Sequence, residues 1–144
     1  MLNLEAYCDA SFDIHTKQAV VTTIIISDMM FHRYHVGEYR DVETGARAEL
    51  LGIIQTMEIV REMKDVGDIH IHCDSATTIS VYRACLSSKV VDRNKPYADD
   101  WEKLLELSEG YSVIPENIAG HQDCDNPNKV CDLIARNVLR ARKA

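Results

Sequence analysis

The chain reads as an α/β protein: a five-stranded mixed sheet flanked by helices, with elements in the order βββαβα followed by αβα. Two observations carry that reading. Tyr7-Cys8-Asp9-Ala10-Ser11 and His72-Cys73-Asp74-Ser75-Ala76 are nearly the same text, each closing an alternating apolar stretch with an aspartate and small residues. Between them the hydrophobic period changes from 2 to 3.6, as a strand-helix-strand crossover requires.

The elements follow in order. Leu2 to Ser11 alternates, with Leu4, Ala6 and Cys8 on one face and Glu5, Tyr7 and Asp9 on the other. Gln18 to Ser27 is crowded with β-branched residues (Val20 to Ile26) and suits a strand buried on both faces. Asp28-Met29-Met30 turns into a third strand, Phe31 to Tyr39, which completes an antiparallel meander. Thr44 caps a helix to about Lys64, with Leu50, Ile53, Ile54 and Met57 along its buried stripe, and Gly67 stands where a helix stop is expected. Asp68 to Cys73 is the fourth strand, with Ile69, Ile71 and Cys73 inward and His70, His72 and Asp74 opposite. A short helix runs from Ser75 to about Ala84, and Ser87 to Pro96 is a loop. Tyr97 to Glu109 is a second long helix carrying Trp101, Leu104, Leu105 and Leu107, with Trp101 and Tyr97 expected in packing roles. Ser112 to Ala119 is a fifth strand that Pro115 sends to a sheet edge. Past a polar loop, Pro127 opens a closing helix to about Lys143. A right-handed crossover lays the fourth strand parallel to the first, so Asp9 and Asp74 fall at the carboxyl ends of neighbouring strands, where such sheets carry their sites.

Gross composition narrows the class. A chain of 144 residues, 46% hydrophobic and 27% charged, suits a single globular domain over residues 1–144. No apolar run approaches the ~20 residues of a membrane span. Met1-Leu2-Asn3-Leu4-Glu5 lacks the basic head and apolar core of a secretory signal, so a cytoplasmic protein is expected. Five cysteines with no Cys-x-x-Cys pair suit a reducing compartment and argue against thiolate-bound zinc. The net charge of −7 runs against the basic footprint of a nucleic-acid binder. It is easier to accept if several acids gather around divalent cations.

Two further acids qualify. Glu49 lies early in the long helix beside Arg47, and Asp132 lies early in the closing helix beside the Cys131, Ile134, Val138 stripe. Helix dipoles alone favour acids there by roughly 0.3–1 kcal/mol. Their company with two strand-end aspartates is what singles them out.

With these residues in view, the chain resembles the ribonuclease H family across nearly its whole length. Asp9-Ala10-Ser11 is similar to the family's Asp-Gly-Ser, Thr44-Gly45-Ala46-Arg47-Ala48-Glu49-Leu50 to its Thr-Asn-Asn-Arg-x-Glu-Leu, and Cys73-Asp74-Ser75 to its Thr-Asp-Ser. Most specific is the carboxyl segment, where Gly120-His121, Asn126-Pro127-Asn128 and Cys131-Asp132-Leu133-Ile134-Ala135-Arg136 resemble Gly-His…Asn-x-x-Cys-Asp-x-Leu-Ala-Arg. The resemblance implies a ribonuclease H-like fold and hydrolysis of the RNA strand in RNA–DNA hybrids. It implies two Mg²⁺ ions, replaceable by Mn²⁺, held by Asp9, Glu49, Asp74 and Asp132, with His121 assisting proton movement or product departure. Hard oxygen donors suit such ions. Asn128 is implied near the scissile phosphate. Substrate contact is further expected from Ser11, Ser75 and Arg47, and from Lys89, Arg93 and Lys95 in the loop before Pro96. A monomer is the expectation.

The chain departs from the family pattern at three places. Ala10 replaces the glycine after the first aspartate. Gly45 and Ala46 stand where asparagines often read the minor groove, and telling RNA from DNA depends on 2′-hydroxyl contacts. The Ser87–Pro96 loop is too short for a long basic helix, which predicts weak hybrid affinity and steep salt dependence. Two alternatives therefore stand beside the hybrid nuclease: the same metals acting on structured RNA or DNA junctions, and a non-catalytic nucleic-acid- or partner-binding module. His70-x-His72-x-Asp74 also resembles the start of a metallo-hydrolase zinc motif, but no histidine follows directly on Asp74. His70 and His72 are expected as partly exposed strand residues. Cys8 and Cys73 are expected to be buried on the opposite face, as small apolar side chains.

Overall fold

Alternation in two distant segments, Leu4-Ala6-Cys8 and Ile69-Ile71-Cys73, builds one continuous apolar face, with each of these side chains at most 1% exposed. The computed structural model describes residues 1–29, 32–118, 130–131 and 137–141. Its strands are β1 (Leu2–Asp13), β2 (Gln18–Ser27), β3 (His32–Tyr39), β4 (Val66–Cys73) and β5 (Ser112–Asn117). Its helices are α1 (Gly45–Arg61), α2 (Ala76–Ser88) and α3 (Ala98–Ser108). The sheet order is β3-β2-β1-β4-β5. β1, β2 and β3 form the expected antiparallel meander, and β4 runs parallel to both β1 and β5.

Thr44 caps α1 as expected, its hydroxyl accepting from the Arg47 amide at 3.2 Å. The stripe Leu50, Ile53, Ile54 and Met57 is buried against the sheet together with Tyr82, Trp101 and Leu104 from α2 and α3. Gly52 lets the helix approach closely, since a Cβ there would meet Val21 Cγ1 at 2.9 Å. Beside it a polar seam is satisfied internally: Gln55 Nε2 donates to Val21 O at 3.3 Å and Thr23 Oγ1 at 3.1 Å. On the other face Leu139 packs with Val20, and the Cys131 thiol donates to the Tyr7 carbonyl at 3.5 Å. Residues 130–131 and 137–141 are helical, as the closing-helix reading requires; its expected start at Pro127 lies outside the described residues. Among the described residues no helix is long and apolar enough to cross a membrane.

Several boundaries differ from those read in the sequence. β1 does not stop at Ser11 but runs to Asp13, because Ala10 and Phe12 continue the alternation and pack against Ala19, Val42 and Ala48. Gly67 does not stop α1; it lies inside β4, and the left-handed turn before the strand is made by Asp65 at φ 55°. α2 extends to Ser88 and is closed by Lys89 in the left-handed region at φ 62°. Pro115 does sit on an edge strand, its carbonyl gripped by the Arg83 fork at 3.0 and 2.7 Å.

Candidate active site

The parallel ladder between β1 and β4 ends at Tyr7 and His72, while β1 continues beyond it in its pairing with β2. Extending the ladder's register by two residues sets Asp9 beside Asp74, on the same face of the sheet. Asp9 is only 3% exposed, held opposite Thr22, and its Oδ1 accepts from the Ala10 amide at 2.9 Å. Glu49 comes from the second turn of α1, between buried Ala48 and Leu50. Its Oε2 accepts a hydrogen bond from the Cys73 thiol at 3.6 Å.

Donor atoms of Glu49, Cys73 and Asp74 all lie within 4.8 Å of one another. Burial, then the neighbouring Cys73, Asp9 and Asp74, push the Glu49 carboxyl up to about 10. Like charges in a desolvated place raise one another's cost of ionisation. A cation among them removes that cost, and the carboxylate donors suit a hard divalent ion.

Three of the four expected acids therefore converge. Asp132, His121 and Asn128 lie outside the described residues. Ser75 caps α2, its Oγ accepting from the Thr78 amide at 3.4 Å, next to Asp74. Ser11 continues β1 beyond Asp9, opposite Val20. Arg47 pairs with Asp100 at 3.1 Å, joining α1 to α3. Lys89 and Lys95 are exposed, and Arg93 pairs with Asp99 at 2.8 Å and Glu102 at 3.0 Å. One participant was not anticipated: Cys73, read as a plain core residue, enters the acid cluster. Its signal was the helix-sheet layering, which puts α1 and Glu49 over the same face that Cys73 occupies.

The family model for RNase H matches residues 2–140. The chain belongs to the ribonuclease H family. As a ribonuclease H-type protein it is a hydrolase. Its sequence is 26% identical over 113 residues to a Ribonuclease H of Prosthecochloris aestuarii, covering 73% of this chain and 75% of that one. The fold is similar to that of a ribonuclease H1 isolated from compost by a metagenomic approach, with a TM-score of 0.75, 11% identity and full coverage of both chains. It is also similar to the ribonuclease H1 of the halophilic archaeon Halobacterium salinarum NRC-1, with a TM-score of 0.66, 19% identity and coverage of 96% and 98%. In this ribonuclease H the acid cluster stands at the carboxyl end of the parallel pair of strands, the position the topology favours for chemistry.

Proposed function

We propose that this ribonuclease H is a Mg²⁺-dependent endonuclease that hydrolyses the RNA strand of RNA–DNA hybrids, acting as a monomeric, cytoplasmic enzyme in which residues 1–144 form one domain. The observation that supports it is the convergence of Asp9, Glu49 and Asp74 in a chain of this family. Asp132 joins them as the fourth ligand in this reading, and His121 assists proton movement.

Asp9, Glu49, Asp74 and Asp132 would hold two divalent ions, which would supply an activated water and stabilisation of the leaving oxygen. The rest is the work of the chain itself. Asp9 is fixed against Thr22 in the antiparallel ladder, so its carboxylate is held rigid. Glu49 is oriented by the Cys73 thiol and by its place on a helix anchored against β1 and β2. Asp74 stands where β4 gives way to the Ser75 cap, open to an approaching phosphodiester. Ser11, Ser75, Arg47 and Asn128 serve as the nearest substrate contacts, with Lys89, Arg93 and Lys95 reaching the backbone farther out.

The test is cleavage of labelled hybrid, double-stranded RNA and double-stranded DNA, with Mg²⁺ or with chelator, by the wild type and by Asp74→Asn. The expected result is hybrid cleavage that needs Mg²⁺ and is lost in the variant. Cleavage that survives Asp74→Asn overturns the role of Asp74. Failure of the wild type to cut any of the three overturns the nuclease reading in favour of a binding module.

A further inference from the structure

Where the family pattern reads Thr-Asp-Ser, this chain reads Cys73-Asp74-Ser75, and the sulfur belongs to the acid cluster. Cys73 is fully buried beneath α1, with its Sγ 3.6 Å from Glu49 Oε2. β4 ends at Cys73 and the chain bends at Asp74, which brings donor atoms of both neighbours to Glu49. One donor atom from each of Glu49, Cys73 and Asp74 lies within 4.8 Å of the other two.

We propose that Glu49, Cys73 and Asp74 form a site for Zn²⁺, and that Zn²⁺ competes there with Mg²⁺ and arrests cleavage. The binding stands on geometry; the competition rests on the nuclease reading above. Zinc takes thiolate sulfur at about 2.3 Å and carboxylate oxygen at about 2.0–2.2 Å, so a tetrahedral ion sets the two roughly 3.6 Å apart. The Cys73–Glu49 pair has that separation. Asp74, within 4.8 Å of both, closes to bonding range by a shift of at most about 1.4 Å.

Selectivity comes from the sulfur. Mg²⁺ demands an octahedron of oxygen donors, whereas Zn²⁺ accepts sulfur and oxygen together in a tetrahedron. Without an ion the thiol keeps its hydrogen and gives it to Glu49. On binding, the S–H bond breaks, an S–Zn bond forms and the proton leaves to solvent, with no change of oxidation state. The ion then meets a thiolate and two carboxylates that otherwise repel one another. Held by sulfur in a tetrahedron, it occupies the cluster without the octahedral geometry that Mg²⁺ brings. Cys8, one residue beyond the Tyr7–His72 rung, supplies a natural control. Its thiol donates to the His72 carbonyl at 3.8 Å, outside the three-donor group.

The test titrates chelator-treated protein with Cd²⁺, a spectroscopic stand-in whose bond to a thiolate absorbs in the ultraviolet, and then adds Zn²⁺. Wild type, Cys73→Ser, Cys8→Ser and Asp74→Asn are compared, each checked for folding by circular dichroism. The wild type is expected to show one tight equivalent of the band, erased by Zn²⁺. That equivalent is expected to be lost in Cys73→Ser and kept in Cys8→Ser. In Asp74→Asn it should need about tenfold more Cd²⁺ or beyond. No band in the wild type, a band unchanged in Cys73→Ser, or an affinity unchanged in Asp74→Asn overturns the site. Hybrid cleavage by the wild type in Mg²⁺ is followed in parallel, with and without Zn²⁺. Cleavage lost on adding Zn²⁺ supports the competition, and cleavage undiminished overturns it. If the wild type cuts no hybrid while the Cys73-dependent band appears, the nuclease reading falls and the metal site stands.

Discussion

The thiol of Cys73 donates a hydrogen bond to Glu49 Oε2 across 3.6 Å, tying the second turn of α1 to the last residue of β4. Hydrogen bonding with Cys8, together with burial, holds that thiol protonated far beyond the usual cysteine range. Cys73 is therefore a standing donor to Glu49. The helix cannot shift along the sheet without breaking this contact.

Substituting Glu49 tests what the crowding costs. The folded-state pKa of Glu49, about 10, lies above its unfolded value, so wild-type stability falls as pH rises past the ordinary carboxylate range. Glu49→Gln escapes that loss. In chelator at neutral pH the variant is expected to melt several degrees above the wild type, the difference closing in acid. On the proposed function, its hybrid cleavage in Mg²⁺ is expected to fall about a hundredfold or more. Thermal melts across pH, paired with a cleavage assay, check both halves; a variant that melts lower in chelator contradicts the crowding.

Gly52→Ala sets helix propensity against space. Alanine gains about 1 kcal/mol in a helix interior. The new methyl, however, would stand 2.9 Å from Cγ1 of fully buried Val21, and overpacking of this kind costs about 1–3 kcal/mol. The clash is expected to prevail, lowering the urea midpoint. A midpoint at or above the wild-type value means that the helix can lift off the sheet.

The His70–Glu116 pair makes a pH-dependent contribution. Their hydrogen bond is the largest cause both of the raised His70 pKa and of the lowered Glu116 pKa. A raised imidazole contributes fully below its unfolded value and loses that contribution as pH climbs through its folded value. A lowered carboxyl contributes above its unfolded value and loses that contribution as pH falls through its folded value. A double-mutant cycle of His70→Ala and Glu116→Ala, run in chelator, is expected to show coupling under about 1 kcal/mol for so exposed a pair. The coupling should be present near about pH 5.5 and gone by about pH 9. Coupling that strengthens toward alkali has the wrong sign.

Hybrid binding is expected to weaken steeply with salt. The chain carries −7, Arg47 is engaged with Asp100, and Arg93 with Asp99 and Glu102. Lys89 and Lys95 are exposed and stand ready to contact the backbone, and about two phosphate contacts are enough for KM to rise about tenfold between about 50 and 200 mM salt. A KM indifferent to salt over that interval refutes the expectation.

Much of this is legible in the amino-acid sequence. Long alternating or helical runs declare their period, so the order of elements, the inward faces of β1 and β4 and the edge position of Pro115 follow from residue pattern alone. Three of the four acids could be matched to strand ends and a helix start for the same reason. Boundaries were harder. Ala10 and Ser11 look like a strand's end only because small residues carry little pattern, yet Phe12 packs inward and prolongs β1. Gly67 looked like a helix stop, but Asp65 takes the left-handed conformation instead. Cys73 was placed correctly in the core, while its bond to Glu49 depends on how α1 lies across the sheet. The partners of His70 and His72 were hidden for a related reason: Glu5 and Glu116 are distant in the chain and become neighbours only through strand order.

Proline and arginine together dispose of one border of the sheet. Pro115 has no amide hydrogen to offer, and the guanidinium of Arg83 already occupies its carbonyl. An invading strand finds neither donor nor open acceptor midway along β5. Any growth of this sheet into a larger assembly is thereby steered to β3, at the far border.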